Sequence, residues 1–315
     1  MRPWWERYQP ISYKLETRSG TEEEFKSMVE RCNAVDVRIY IDGVINHVCG
    51  SGRSGIGTGG SAYDADAGNF PGVPYTIDDF NDCSNCGGCC CINAWQDAAM
   101  VRNCRLVGLV DLKQSLPHVQ DRILEYFNRM IGYGIAGVRL DTGKHMWPDD
   151  LATIWSRLDD LRSDVFGPGK RMFFFIEVID MNQNGEIRAQ EYVHLGRVTE
   201  FRYCTKITNT VGALWDIPGL YDPGWGMVLP EDAFVFVDNH DNQRGHGGGG
   251  NIITHKDPRT YKMAQAITLL QEYGWPRIMS SYYFTNSDEG PPHNADYTYV
   301  PDFSVCSPFL VFDNS

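Results

Sequence analysis

The segment AGVRLD, residues 136–141, is a short apolar run that ends on a carboxylate. Two other segments share this pattern: MFFFIE (172–177) ends on Glu177, and FVFVDNHD (234–241) ends on Asp241. Each run is β-branched or aromatic and is long enough for a buried strand but too short for a helix. The sequence therefore predicts three strands followed by Asp141, Glu177 and Asp241, at the strand ends where (β/α) barrels keep their catalytic groups.

Any one of these acids has an ordinary alternative explanation. An aspartate just past a strand is often the N-cap of the next helix. Three acids at the ends of three strands instead favour one shared acid/base site.

The composition is typical of a soluble globular protein with a strongly acidic surface. Of the 315 residues, 42% are hydrophobic, and the formal net charge is -13. This charge repels polyanions, so we expect no nucleic-acid partner and favour a neutral or cationic ligand. No run approaches the roughly 20 apolar residues of a membrane helix, so no membrane partner is expected. The first ten residues, MRPWWERYQP, lack the apolar core of a signal peptide, so we expect none in this chain.

Ten cysteines are more than a cytosolic chain usually has, and six of them lie between residues 83 and 104. The stretch CSNCGGCCC (83–91) could be a thiolate metal site, but it lacks two separated CxxC pairs and nearby histidines. The favoured interpretation is a disulfide from this cluster to Cys104, with the remaining thiols free.

The rest of the chain alternates between strands and helices around one irregular region. Thr21 and Glu24 form a capping box that opens a helix to about Cys32. Residues 48–100 are rich in Gly, Asp, Ser and Cys and indicate a long excursion without regular structure. The other predicted elements are strands at 37–42, 136–141, 172–177, near 198, 234–238 and 276–281, and helices at about 119–130, 149–161 and 260–273. Six strands alternating with helices predict a parallel sheet, whereas a closed (β/α)8 barrel needs eight strands.

Five segments together resemble the animal-type, chloride-dependent α-amylases, a branch of a glycoside hydrolase family. They are RPWWERYQP (2–10), RIYIDGVINH (38–47), GVRLDTGKHMWP (137–148), IEVID (176–180) and FVDNHDNQRGHG (236–247). The segments occur in the family's order, and the match runs from about Arg2 to Tyr282. The resemblance implies an α/β fold of the (β/α)8 TIM-barrel type, incomplete at about six of eight strands and truncated at both ends.

The resemblance also implies a division into domains. Residues 1–46 would form the first part of the barrel and 113–315 the second part. Residues 47–112 would be an irregular Cys- and Gly-rich excursion after the third family strand, of the type called domain B. The family's C-terminal β-sandwich would be absent. We expect the full-length family member to be secreted and monomeric.

The family's catalytic roles fall on the three carboxylates. Asp141 matches the nucleophile that forms a covalent glycosyl intermediate, Glu177 the general acid that later activates water, and Asp241 the acid that binds sugar hydroxyls and helps distort the ring. The implied reaction is retaining endo-hydrolysis of α-1,4-glucosidic bonds in starch, glycogen and maltooligosaccharides. Two alternatives are a non-catalytic glucan-binding protein derived from an amylase, and an enzyme that transfers glucosyl groups to a sugar acceptor.

The resemblance places other side chains along the glucan. The implied substrate-binding residues are Trp4, Trp5, Tyr8, Gln9, His47, Arg139, Lys144, His145, Ile179 and His240. Sugars present a C–H face to aromatic rings and hydroxyls at their edges, which suits stacking beside amide and imidazole partners. The segment GHGGGG (245–250) resembles a mobile loop that closes over bound glucan.

Two inorganic ions are implied as well. The expected calcium ligands are Asn46, Asp111 and the carbonyl oxygens of Arg102 and His145, a set of oxygen donors that suits a hard cation. The expected chloride ligands are Arg139, Asn239 and Arg277, because a chloride would offset two guanidinium charges beside the acids. The alternative is that each arginine simply pairs with an acid.

Cysteines and strand count lead to two further expectations. By resemblance, Cys104 should be bridged to Cys86 or Cys83, and the partner of Cys32 should lie in a segment before Arg2. A six-stranded remnant would leave two open sheet edges. The sequence therefore predicts that this chain, expressed alone, is poorly soluble and inactive on starch.

Overall fold

The computed structural model describes residues 2–181, 185, 187–212, 217, 219–248 and 250–296. The strands are β1 (Tyr40–Gly43), β2 (His47–Gly50), β3 (Ser54–Ile56), β4 (Ala62–Asp64), β5 (Leu109–Asp111), β6 (Gly137–Leu140), β7 (Phe173–Ile176), β8 (Arg197–Thr199), β9 (Ala233–Val235) and β10 (Trp275–Pro276). The α-helices are α1 (Glu22–Asn33), α2 (Ala98–Asn103), α3 (Pro117–Tyr133), α4 (Pro148–Ser156), α5 (Ser163–Phe166), α6 (Phe201–Val211) and α7 (Pro258–Leu270). Short 3-10 helices include Trp4–Tyr8, Gly143–His145 and Asn242–Arg244.

Six strands form one parallel sheet in the order β1-β6-β7-β8-β9-β10. All of the predicted strands belong to it, and β1 and β10 are its edges in the described residues. The register aligns the C-terminal ends of neighbouring strands, because Gly43 lies opposite Leu140 and Leu140 lies opposite Ile176. Residues that follow β1, β6 and β7 are therefore brought to one edge of the sheet.

The predicted helices have the expected local causes. In α1, Thr21 accepts a hydrogen bond from the N–H of Glu24, and the Glu24 carboxylate accepts one from the N–H of Thr21, which completes the capping box. Helix α3 begins at a proline and ends at Gly134, whose φ of 94° favours glycine. Its fully buried face is formed by Val119, Ile123, Phe127 and Met130, as the apolar spacing predicted.

The region 47–112 consists mainly of loops with two small antiparallel pairs, β2 with β5 and β3 with β4. The sequence did not predict these four short strands. The pairing of β2 with β5 brings the two ends of the region together, and the N–H of Leu112 donates to the carbonyl of Asn46 at 2.9 Å. The domain boundaries at residues 46 and 112 stay a prediction.

The cysteine cluster differs from its expected state. Cys104 is bridged to Cys86, one of its two expected partners. The expectation that the remaining cluster thiols are free is wrong, because Cys83 is bridged to Cys90 and Cys89 to Cys91. Turns at Cys86 and Cys90 fold the stretch back on itself, which brings these close neighbours together. Among the described cysteines, Cys32, Cys49 and Cys204 are free.

Three predicted elements have different bounds. The strand expected at 276–281 is reduced to Trp275–Pro276. The helix expected to reach residue 161 ends at Ser156, yet Leu158 and Leu161 remain buried, so their apolar spacing reflects the core rather than a helix. The strand expected to end at residue 238 ends at Val235. Beyond it, the side-chain oxygen of Asn239 accepts hydrogen bonds from the N–H groups of Asp241 and Asn242, in place of hydrogen bonds between strands.

None of the described helices has the length and apolar character needed to cross a bilayer.

Candidate active site

The three carboxylates lie in one cleft of about 700 Å³ at the C-terminal edge of the sheet. Asp141 directly follows β6 and Glu177 directly follows β7, whereas Asp241 lies six residues beyond the end of β9. The cleft is also lined by nine of the ten expected substrate-binding residues: Trp4, Trp5, Tyr8, Gln9, His47, Lys144, His145, Ile179 and His240. The tenth, Arg139, lies beneath Asp141 and Glu177 and contacts both.

Arg139 joins the acids of three neighbouring strands. Its Nη1 lies 2.9 Å from Asp141 Oδ1 and 2.6 Å from Asp42 Oδ1, and its Nη2 lies 2.6 Å from Glu177 Oε1. The sheet register explains the arrangement, because Asp42 lies directly opposite Arg139. Asp141 and Glu177 thus sit on adjacent nitrogens of one planar guanidinium, which fixes them within a few ångströms of each other.

Backbone contacts hold the Glu177 carboxyl in place. The N–H of Thr142 donates to Glu177 Oε2 at 2.9 Å. The following Gly143 comes so close to β7 that a Cβ there would lie 2.2 Å from Ile176 Cγ2. Glycine at this position therefore lets the loop after β6 pack onto the end of β7.

Burial dominates the electrostatics of the acids. It raises the pKa of Asp141 well above the usual range; the Arg139 guanidinium opposes this rise, and the charge of Glu177 reinforces it. Burial and the charge of Glu177 raise the pKa of Asp241 to about 6, against the opposing charge of Arg139. The cluster therefore contains at least one carboxyl, that of Asp241, whose pKa lies near neutral pH.

Aromatic and imidazole rings form one wall of the cleft. Tyr8 stacks on His240 with ring centroids 5.0 Å apart, and Trp4 meets His240 edge-on at 5.5 Å. His47 Nε2 lies 2.9 Å from the carbonyl of Tyr8. Burial lowers the pKa of both His47 and His240 to about 4, so both rings are neutral at physiological pH. A wall of neutral rings and hydroxyls suits an uncharged ligand.

A second lobe adjoins the cleft and contains none of the three acids in its lining. It shares Trp95, Lys144, Ile179 and residues 246–248 with the first lobe and continues to Met181. Lys144 Nζ donates to the carbonyl of Ile179 at 3.0 Å, which ties the loops after β6 and β7 together. The acids therefore line the first lobe, and the second lobe extends the groove beyond Lys144 and Ile179.

Two of the expected calcium ligands, Asn46 and Asp111, are buried next to each other. Asn46 Oδ1 is buried and accepts no hydrogen bond from the described residues. Asp111 lies opposite His47 in the β2–β5 pair, and burial raises its pKa well above the usual range. His145 Nδ1 lies 3.0 Å from the carbonyl of Val101, which places the backbone of His145 beside that of Arg102. A buried, unsatisfied oxygen next to a buried carboxyl fits the chemistry of a hard cation.

The three expected chloride ligands differ in their environments. Arg139 pairs with carboxylates, which is what the alternative interpretation expected for it. Arg277 differs, because the described residues provide it with no ion pair, and burial together with the charge of Arg139 lowers its pKa. Asn239 is buried, and its Oδ1 is occupied by two backbone N–H groups. An amide Nδ2 and two guanidiniums are the kinds of hydrogen-bond donor that suit an anion.

The sequence analysis missed several residues of the site, among them Asp42, which contacts Tyr8 and Arg139. Asp42 closes the run RIYID just as Asp141 closes its own run, so the same pattern could have found it. Trp95, Arg53 and residues 106–109 line the cleft from the irregular region. They have no periodic signal, because their positions depend on the folding of that region over the sheet.

Comparisons with known proteins agree with this architecture. A family model described as the catalytic domain of alpha-amylase matches residues 8–165. The alpha-amylase of Pecten maximus is 50% identical over 94% of this chain and 59% of its own length. The pancreatic alpha-amylase of Homo sapiens is 48% identical over 93% of this chain and 60% of its own length. The chain thus spans about three fifths of the length of these curated relatives.

Solved structures give the same result. The wild-type alpha-amylase I of Eisenia fetida superposes with a TM-score of 0.90 at 42% identity, covering 95% of this chain and 63% of that chain. A cyclomaltodextrin glucanotransferase at 19% identity, with a TM-score of 0.60, shares the fold. The expected barrel-type α/β fold is confirmed, and this chain belongs to the alpha-amylase family.

Proposed function

We propose that the protein hydrolyses α-1,4-glucosidic bonds inside starch, glycogen and maltooligosaccharides with retention of anomeric configuration. The observation that carries this proposal is the seating of Asp141 and Glu177 on adjacent nitrogens of Arg139. Retaining glycosidases need two carboxyls roughly 5 to 5.5 Å apart, too close to leave room for a water between them. The E. fetida alpha-amylase I, 42% identical, has been solved as a mutant in complex with maltohexaose.

In the first step, Asp141 attacks the anomeric carbon and forms a glycosyl ester, while Glu177 gives its proton to the departing glycosidic oxygen. In the second step, Glu177 takes a proton from water, and the resulting hydroxide displaces Asp141 and yields the sugar. Asp241 binds hydroxyls of the sugar being cleaved, and the neutral rings of His47 and His240 add further hydroxyl contacts. The cleft and the adjoining lobe give a glucan chain room to extend beyond the sugar at the acids, as endo-hydrolysis requires.

The test is to incubate the protein with starch and follow both reducing ends and the anomeric form of new products by NMR. We expect reducing ends with the α configuration. Their absence would instead agree with the inactivity that the count of six strands predicted for this chain alone. The second candidate, a glucan-binding protein without turnover, is favoured by the sheet of six strands in the described residues, two fewer than a closed barrel needs. Maltooligosaccharide binding by calorimetry without release of reducing ends would establish the second candidate instead.

We infer that chloride binds between Arg139, Asn239 and Arg277, where it would compensate the buried charge of Arg277. Without an anion, the two guanidiniums favour ionised carboxylates in the cluster, whereas the first step needs a protonated acid. We therefore expect removal of halide to shift the pH optimum to lower values. Activity profiles in chloride and in halide-free sulfate buffer would measure the shift.

The control for this prediction is Arg277→Gln, which removes one of the two cations. Its profile in halide-free buffer should lie closer to that of the wild-type protein with chloride. Identical wild-type profiles with and without halide would rule out the proposed compensation.

We infer that calcium binds Asn46, Asp111 and the carbonyl oxygens of Arg102 and His145. When bound, calcium would supply a structural link between the irregular region and the loop after β6. Removing it with a chelator should lower the melting temperature by roughly 5–10 °C, because an ion at about 100 times its Kd stabilises a protein by about 2.7 kcal/mol. Calorimetric unfolding with EGTA measures the change. Asp111→Asn should weaken calcium binding and reduce the effect of EGTA, and an unchanged melting temperature in wild-type protein would contradict the assignment.

We also place the protein in an oxidising, extracellular compartment, because its three disulfides persist only there. We expect a monomer whose partner is a neutral α-glucan, with no nucleic-acid or membrane partner. The net charge of -13 and the neutral rings of the cleft support this expectation.

A further inference from the structure

The segment 285–290, here called the strap, lies against the aromatic residues at the start of the chain. We propose that the strap orients Trp4 and Trp5, and that Asp288 is a positioning residue that sets the affinity for long glucans over short ones. This inference rests on the proposed glucan hydrolysis and goes beyond it, because it concerns how far along the cleft a substrate is recognised.

Three hydrogen bonds connect the strap to the tryptophans. The backbone N–H of Trp4 donates to the carbonyl of Asp288 at 3.2 Å, and its indole N–H donates to the carbonyl of Ser287 at 2.9 Å. The indole N–H of Trp5 donates to Asp288 Oδ1 at 3.3 Å. Both indole N–H groups are therefore held by neighbouring strap residues, and the Trp5 contact is the one made by a strap side chain.

The strap is itself fastened to the catalytic loop. Arg244, three residues after Asp241, donates from Nη1 to the carbonyl of Ser287 at 2.8 Å and from Nη2 to the hydroxyl of Tyr282 at 2.7 Å. Its guanidinium also lies 3.9 Å from the ring centre of Phe284. Arg244 thus fixes the position of the strap, and with it the positions of the indoles, relative to the loop that holds Asp241.

Contacts inside the strap make it a compact unit despite its exposure. The N–H of Asp288 donates to Asn286 Oδ1 at 2.9 Å, and the N–H of Glu289 donates to the carbonyl of Asn286 at 3.0 Å. The Glu289 carboxylate in turn accepts from the N–H of Thr285 at 3.1 Å. Asp288 therefore lies in a turn whose backbone has little conformational freedom. Its carboxylate is held in a fixed place, which suits a positioning role.

The two tryptophans lie at different depths. The ring of Trp4 meets His240 at 5.5 Å, next to the catalytic Asp241. The ring of Trp5 instead lies 5.6 Å beneath the guanidinium of Arg53, an exposed residue at the rim of the cleft. A short glucan that fills the positions around the acids reaches Trp4, whereas a longer one also reaches Trp5. A ring held in place before binding loses less freedom when a sugar stacks on it.

The experiment compares Asp288→Ala and Asp288→Asn on maltotriose and maltoheptaose. The alanine variant should raise KM for maltoheptaose roughly three- to tenfold, since a net hydrogen bond contributes a factor of this size. Its kcat and its maltotriose kinetics should stay unchanged. The asparagine variant keeps an acceptor oxygen for the indole N–H and should behave like the wild-type protein. Because Asp288 is exposed, both variants should fold, and their melting temperatures check this.

Three results would overturn the inference: no change in KM for maltoheptaose, an equal change for both substrates, or an equal change in both variants. If the wild-type protein hydrolyses neither sugar, the proposed function fails. The calorimetric Kd for maltoheptaose would then still test the strap, with the same three- to tenfold difference expected between the alanine and asparagine variants.

Discussion

Replacing Asp141 by asparagine should lower kcat on starch by at least about 10⁴-fold, the scale seen when a covalent nucleophile is removed. The amide has nearly the same shape as the carboxylate but cannot attack the anomeric carbon. Arg139 keeps its contacts with Asp42 and Glu177, so the site should remain assembled. The rate of reducing-end release, compared with the wild-type protein at saturating starch, measures the effect.

The matched control is Asp149→Asn, which removes an exposed carboxylate in the first turn of α4. Because Asp149 lies outside the cleft lining, this variant should keep the wild-type rate. If Asp141→Asn retained turnover within tenfold of wild type, the assignment of the nucleophile would fail.

Replacing Glu177 by glutamine should lower kcat on starch by about 10²- to 10⁴-fold, the usual contribution of general acid/base catalysis. The N–H of Thr142 can still donate to the side-chain oxygen, so the loop after β6 should stay in place. The glutamine cannot protonate the leaving oxygen. The fluoride leaving group of α-maltosyl fluoride needs no proton. With this substrate, the rate of glycosyl-ester formation should therefore stay close to that of the wild-type protein.

A comparison of the two variants on maltosyl fluoride separates their roles. The burst of fluoride release should persist in Glu177→Gln and disappear in Asp141→Asn. Equal loss of the burst in both variants would show that Glu177 does not act as the acid. The reverse pattern would exchange the two assignments.

The sequence predicted the strands of the sheet well because each depends on a short apolar run. Each of the six predicted strands overlaps a strand of the parallel sheet, the last one only at Pro276. Helices α1 and α3 form with the expected capping box and apolar face. The ends of the strands were predicted less well where side-chain hydrogen bonds take the place of hydrogen bonds between strands. Asn239 makes such contacts after β9. The pairing of four more cysteines was missed, because loop turns rather than residue types decide which sulfurs meet.

The candidate site shows the same division. Local pattern alone placed Asp141 and Glu177 correctly at strand ends. It placed Asp241 there too, but Asp241 lies six residues beyond the end of β9. The family motifs indicated the aromatic residues near the start of the chain. Asp42 has the same local pattern but was not singled out. Its importance depends on lying opposite Arg139 across the sheet, a relation that comes from the register of two strands.

By itself, the sequence determined the family, the alternation of strands and helices, and the residue types of the acid cluster, because these depend on neighbours in the chain. Only the tertiary structure decided that one guanidinium joins three carboxylates and that the strap holds Trp4 and Trp5. The hydrogen bonds between tryptophans and strap join residues 283 positions apart. Such contacts leave no periodic or local signal, since they form only after the sheet has brought distant segments together.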